Sequence, residues 1–209
     1  MRKTVSGVCG ALLALGAVAG CSIGGDTPDG PGAAATPGPT SGGVSRAPGP
    51  EGSASVLKAP HTYGNQPEAV SYDPASAPLG GGISASRKRT ATGTVVTLSV
   101  TGLLPGHAYG AHVHTKPCGA RPADAGPHYQ HTKDPVTPSV DPAFANSRNE
   151  IWLDLTTDAS GAGTATATVD WSFRPGEANA VVLHAAHTST MPGMAGTAGN
   201  RLACLTSAF

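Results

Sequence analysis

The sequence predicts an all-β domain: an antiparallel Greek-key β-sandwich, or flattened eight-stranded barrel, with two long functional loops. Three observations predict it. Short segments alternate apolar and polar residues with period two, the mark of a half-buried strand. Turn-forming Gly, Pro and Asp punctuate them at close spacing. Helical periodicity is nearly absent.

The chain of 209 residues opens on a segment outside that domain. Arg2 and Lys3 precede an apolar run over 8–19, which is too short to span a bilayer and is flanked like an export signal. The run ends in Val18-Ala19-Gly20-Cys21, which resembles the lipobox of bacterial lipoproteins. That resemblance implies a signal peptide over 1–20, removal of Cys9 with it, and diacylation of Cys21. Two acyl chains give a stable anchor, at about 0.8 kcal/mol per buried methylene. The expected location is the outer face of the cytoplasmic membrane of a bacterium. Residues 21–55 read as the lipidated Cys and a linker, since fifteen of the 34 residues in 22–55 are Gly or Pro. Such a composition does not bury enough apolar area to offset its ordering entropy, and is expected to be a disordered tether.

Residues 56–209 are long enough for one domain with a real core. Its ten Lys/Arg balance ten Asp/Glu, which points away from nucleic acid as a partner. The basic run Arg87-Lys88-Arg89 reads as a solvated strand edge. Strands are predicted over 69–73, 82–89, 93–100, 108–115, 150–156, 163–171, 180–186 and 202–206. In 93–100, Val96, Leu98 and Val100 share a face; in 150–156, Ile151, Leu153 and Leu155 do. In 163–171, Ala165, Ala167, Val169 and Trp171 oppose Thr164, Thr166 and Thr168. Asp158-Ala159-Ser160-Gly161 reads as a hairpin turn between the two last-named strands. Trp152 and Trp171 are expected to plug the sandwich or its rim. Segments 116–148 and 187–200 lack strand character, and loops of that length are usually functional. Cys118 and Cys204 are either two buried thiols or a bridge; export favours the bridge.

Chemistry concentrates near those loops. His112 and His114 flank Val113 at a strand end, and an i, i+2 pair points both rings to one face. His128 follows in Gly126-Pro127-His128, and His184 closes the apolar run Val181-Val182-Leu183. Neutral imidazoles without a thiolate suit copper, zinc or nickel.

These motifs, with Gly199-Asn200-Arg201-Leu202-Ala203-Cys204, resemble in order the signatures of copper/zinc superoxide dismutases. The resemblance covers most of the chain from Ala69 onward. It implies that His112, His114, His128 and His184 hold copper. It implies that Cys118 and Cys204 form the family's intra-subunit disulfide, that Arg201 draws superoxide to the metal, and that His128 takes part in proton delivery. A homodimer is carried as a candidate assembly. The family's zinc site is not expected. It needs further histidines and an aspartate, where this chain offers His131 and then Arg148-Asn149-Glu150-Ile151-Trp152-Leu153. The loop 187–200 is also short for the family, as in copper-only relatives. Glu150 is the favoured carboxylate to orient His128, over Asp124, Asp134, Asp141 and Asp154; a solvated strand residue is its ordinary alternative. His131 and His187 are candidate auxiliary contacts, with exposed loop positions as the ordinary reading. Met191 and Met194 could offer thioethers, though loop packing suits them better. The implied activity is copper-dependent dismutation of superoxide; the alternative is a copper-binding or storage lipoprotein on a dismutase-like scaffold.

Overall fold

The computed structural model describes residues 51–61 and 66–209; the signal peptide, Cys21 and most of the linker lie outside them. Nine strands are seen among the described residues. They are β1 Glu51–Val56, β2 Ala69–Ser71, β3 Gly82–Arg89, β4 Thr94–Thr101, β5 Ala108–His114, β6 Leu155–Thr156, β7 Gly163–Val169, β8 Ala180–His184 and β9 Arg201–Thr206. Strand β1 takes up residues assigned to the linker end, because its backbone completes the edge of β3 from Glu51↔Arg87 to Val56↔Gly82.

The strands form two antiparallel sheets in the orders β1-β3-β4-β7 and β2-β9-β8-β5-β6. The sandwich reading holds, whereas the closed-barrel alternative does not: the two sheets stay separate hydrogen-bonded units. The chain crosses between them after β1, β2, β4, β6 and β7. Val96, Leu98 and Val100 of β4 face inward, as the alternation predicts. They meet Ala111 and Val113 of β5, Val181 and Leu183 of β8, and Ala203 and Leu205 of β9 in one core. Fully burying such a side chain contributes about 1.5–3 kcal/mol.

Two expectations need correction. The turn at Asp158–Gly161 is real, with Asp158 Oδ1 accepting from the Ser160 and Ala162 amides. It does not make a hairpin, because β6 pairs with β5 while β7 pairs with β4 in the other sheet. Strand 150–156 shrinks to two residues. The Glu150 amide donates to the Asn146 carbonyl in a local turn, so the ladder cannot start there. The alternation survives nonetheless: Ile151, Leu153 and Leu155 are buried.

The five-stranded sheet positions the site. Ala111 and Val113 go to the core, so period two sends His112 and His114 to the other face. On that face lie Val182 and His184 of β8, opposite His112 and Gly110 in register. Loops 115–150 and 185–200 cover it. The first carries the single-turn 3-10 helix Pro122–Ala125 and is tied to β9 by the Cys118–Cys204 disulfide.

Candidate metal centre

Four imidazoles converge where the loops meet the second sheet. Ligand-capable atoms of His112, His114, His128 and His184 all lie within 4.8 Å of one another. Three of these residues are buried, and His128, held by the isolated bridge to His114, is half-buried. His131 and His187 do not join the group. His131 stacks on Trp171 at a ring separation of 5.0 Å, and His187 Nε2 lies 3.2 Å from the Leu155 carbonyl.

Hydrogen bonding fixes the tautomer of each ring. His114 Nδ1 is 2.9 Å from the Gly126 carbonyl and His184 Nδ1 is 3.3 Å from the Gly199 carbonyl. A carbonyl only accepts, so both Nδ1 atoms carry the proton and both Nε2 lone pairs are free. Those two Nε2 atoms face each other at 3.4 Å. Two lone pairs in that arrangement repel unless a cation sits between them. His128 Nδ1 donates to Glu150 Oε2 at 2.9 Å, which frees its Nε2. For His112 the logic runs through Thr188. Its hydroxyl donates to Asp154 Oδ1 at 2.6 Å, so it accepts from His112 Nε2, 2.7 Å away. Among the described residues His112 Nδ1 is left buried with no partner. A buried acceptor in that state costs about 1–3 kcal/mol, which a metal ion would relieve. The donor set therefore fits a soft-to-borderline ion such as copper: one Nδ1 and three Nε2 lone pairs.

Electrostatics keep the rings ready. Burial, followed by repulsion from His128, holds His112 and His114 far below the ordinary imidazole range. The same causes push His184 down to about 3. All three stay neutral near pH 7, which is the ligating form.

Glu150 is the expected carboxylate at His128, and it is 1 % exposed rather than solvated. It accepts from His128 Nδ1, Gln130 Nε2 at 2.8 Å and Trp152 Nε1 at 2.8 Å. Trp171 plugs the core as predicted, but Trp152 serves the site through this bond. Asp154 acts at His112 through Thr188, not at His128. The Asp134 carboxylate is linked to Glu150 through Ser139 and Gln130 rather than bonded to His128. Asp124 pairs with Arg121, and Asp141 caps the Ala143 amide. Met191 and Met194 are exposed on the loop. Thr188, Gln130 and Trp152 carried no signal in the sequence, since nothing local marks a residue that bonds to a histidine far along the chain.

Arg201 opens β9 opposite His184. Its Nη1 donates to the Pro122 carbonyl at 2.9 Å, and burial lowers its pKa from the ordinary arginine value. Guanidinium stays protonated at neutral pH even so. Arg201, His128 and His184 line one cleft of about 810 Å³. The disulfide three residues on and the Pro122 bond both fasten this strand to the loop before His128.

Fold and site together define a histidine-only metal centre on a β-sandwich. The family profile "copper/zinc superoxide dismutase (SODC)" matches residues 80–206, and the chain belongs to that family. Among solved structures it is similar to the Cu/Zn superoxide dismutase of Brucella abortus, at 18% identity and TM-score 0.49 over 75% of this chain and 99% of that one. It is also similar to a SOD-like protein from Bacillus subtilis, at 17% identity and TM-score 0.45 over 62% of this chain and 89% of that one. No curated protein matches it.

Proposed function

We propose that the protein is a copper-dependent superoxide dismutase, exported and held by lipid at the outer face of a bacterial envelope. The observation that carries this reading is the convergence of four free imidazole lone pairs, two of them on rings, His128 and His184, that line one open cleft with Arg201. Bound copper, cycling between two oxidation states, supplies the one-electron chemistry by which two superoxide ions and two protons become oxygen and hydrogen peroxide. The chain supplies the rest. His112, His114, His128 and His184 hold the ion. Arg201 offers fixed donors and positive charge to a small anion. His128, with 18% of its side chain exposed, is the ring that solvent protons reach from the cleft. Its Nδ1 is committed to Glu150, which leaves this ring one lone pair for one ion. That supports copper without zinc.

The test is metal analysis and superoxide turnover of the purified protein with and without added copper. One equivalent of copper with turnover is expected. One equivalent without turnover would leave copper holding on a dismutase-like scaffold as the function. Anchoring rests on the sequence around Cys21. A Cys21→Ser variant should move from the membrane to the soluble fraction, and its retention in the membrane would overturn the anchor.

A further inference from the structure

The cleft beside the histidines is far larger than superoxide requires. It encloses about 810 Å³, against roughly 30 Å³ for one water-sized molecule. Clefts of ~300–1,000 Å³ with apolar walls and a few converging polar groups are the usual receptors of small organic ligands. Here the polar end is Arg201, beside His128 and His184, and the apolar wall is Val136, Pro138 and Val140.

The charges of the cleft sort themselves. Lys133 and Arg174 both pair with Glu177. Asp134 accepts from Ser139, and Glu150 is saturated by His128, Gln130 and Trp152. Arg201 forms no ion pair among the described residues and spends one donor on Pro122. Four of its five N–H donors remain for a ligand. Val136, at 65% exposure, is a large apolar side chain left in water at the mouth. A bare inorganic anion would satisfy Arg201 and leave that wall wet.

We infer that the cleft binds an organic monoanion with an apolar body, of the size of an aromatic carboxylate. Its anionic head sits on Arg201 and its body lies against Val136, Pro138 and Val140. The site shares Arg201 with the turnover reading but needs no turnover.

The test titrates the protein, metal-free and copper-loaded, with benzoate, acetate and phosphate by calorimetry, with amide chemical shifts locating the site. Benzoate should bind at least tenfold more tightly than acetate or phosphate, as burial of its ring predicts. Its shifts should fall at 136–140 and 196–201. Arg201→Ala should weaken benzoate at least tenfold, and Val136→Asp at least fivefold, while Val136→Leu keeps or tightens binding. Unfolding midpoints check that each variant is folded. Equal affinities for benzoate and acetate would overturn the inference, as would unchanged benzoate binding in Arg201→Ala. Benzoate binding by the metal-free protein stands even if superoxide turnover is absent, so the two readings fail separately.

Discussion

A single buried carboxylate organises one side of the histidine cluster. Glu150 accepts three hydrogen bonds, so its charge is compensated without a counter-cation, and the donated bond fixes His128 by orientation rather than by packing. Removing such a partner usually costs ten- to a hundredfold in metal affinity. Glu150→Ala should weaken copper binding by about that factor in chelator competition, with Glu150→Gln intermediate because it retains an acceptor for Trp152. The other three rings make stability depend on acid. Burial first, and His128 second, keep His112 and His114 far below the ordinary imidazole value and His184 at about 3. In the unfolded chain these rings take a proton near ~6.5. Below that pH the unfolded state binds more protons than the folded one, so stability present above ~6.5 is lost as pH falls toward ~3. The metal-free protein should lose at least ~5 °C of thermal midpoint between pH 7 and 4.5. A midpoint flat over that interval would show that the rings are not held neutral by the fold.

Two devices bring the covering loops onto the second sheet. The first is the disulfide, whose partners are 86 positions apart. By the loop-entropy argument it stabilises by about 4 kcal/mol. A Cys118→Ser, Cys204→Ser double variant should show roughly that loss in urea unfolding, and should also weaken superoxide turnover by loosening Arg201 from Pro122. The second is Gly110 on β5. A Cβ there would run into the Ala186 carbonyl and come within 2.7 Å of Ala198 Cβ. The missing side chain lets the loop after β8 lie close enough for Thr188 to reach His112. Gly110→Ala should destabilise by about 1–3 kcal/mol and weaken copper binding, since the steric correction displaces the residue that sets the His112 tautomer. A variant with parental stability and copper affinity would show that the loop does not depend on this approach. Strand-scale features were the most legible in the sequence. The His-Val-His alternation fixes a face by local geometry alone, and β3 spans 82–89 as read. Turn chemistry at 158–161 predicts a hairpin that does not form, because it reports the reversal of the chain and not the sheet to which the chain returns.

At the scale of the molecule the four-histidine set was legible because its motifs sit on strands or beside them; of its supports Glu150 was a named candidate, whereas Thr188, Gln130 and the role of Asp154 at His112 were not legible. Glu150 lies 22 positions from His128, Asp154 lies 34 from Thr188, and only closure of the fold pairs them. Charge distribution adds a further consequence. Over 56–209 ten Lys/Arg offset ten Asp/Glu, so the domain as a whole has no monopole to gather superoxide. Any steering must be local, and exposed charges are screened beyond about 8 Å at physiological ionic strength. Lys88 and Arg89 belong to β3 in the other sheet, away from the face that carries the histidines. Arg201 lines the cleft itself. Neutralising Lys88 and Arg89 together should therefore leave kcat/KM for superoxide within about twofold at 0.15 M salt, while Arg201→Ala should lower it about tenfold. The salt series separates guidance from simple damage. The parent rate should fall as ionic strength rises, and the Arg201→Ala rate should be nearly flat, because the charge being screened is gone. Parallel slopes for the two proteins would mean that Arg201 guides nothing, and that its place in the cleft serves binding of the organic anion or the Pro122 contact alone.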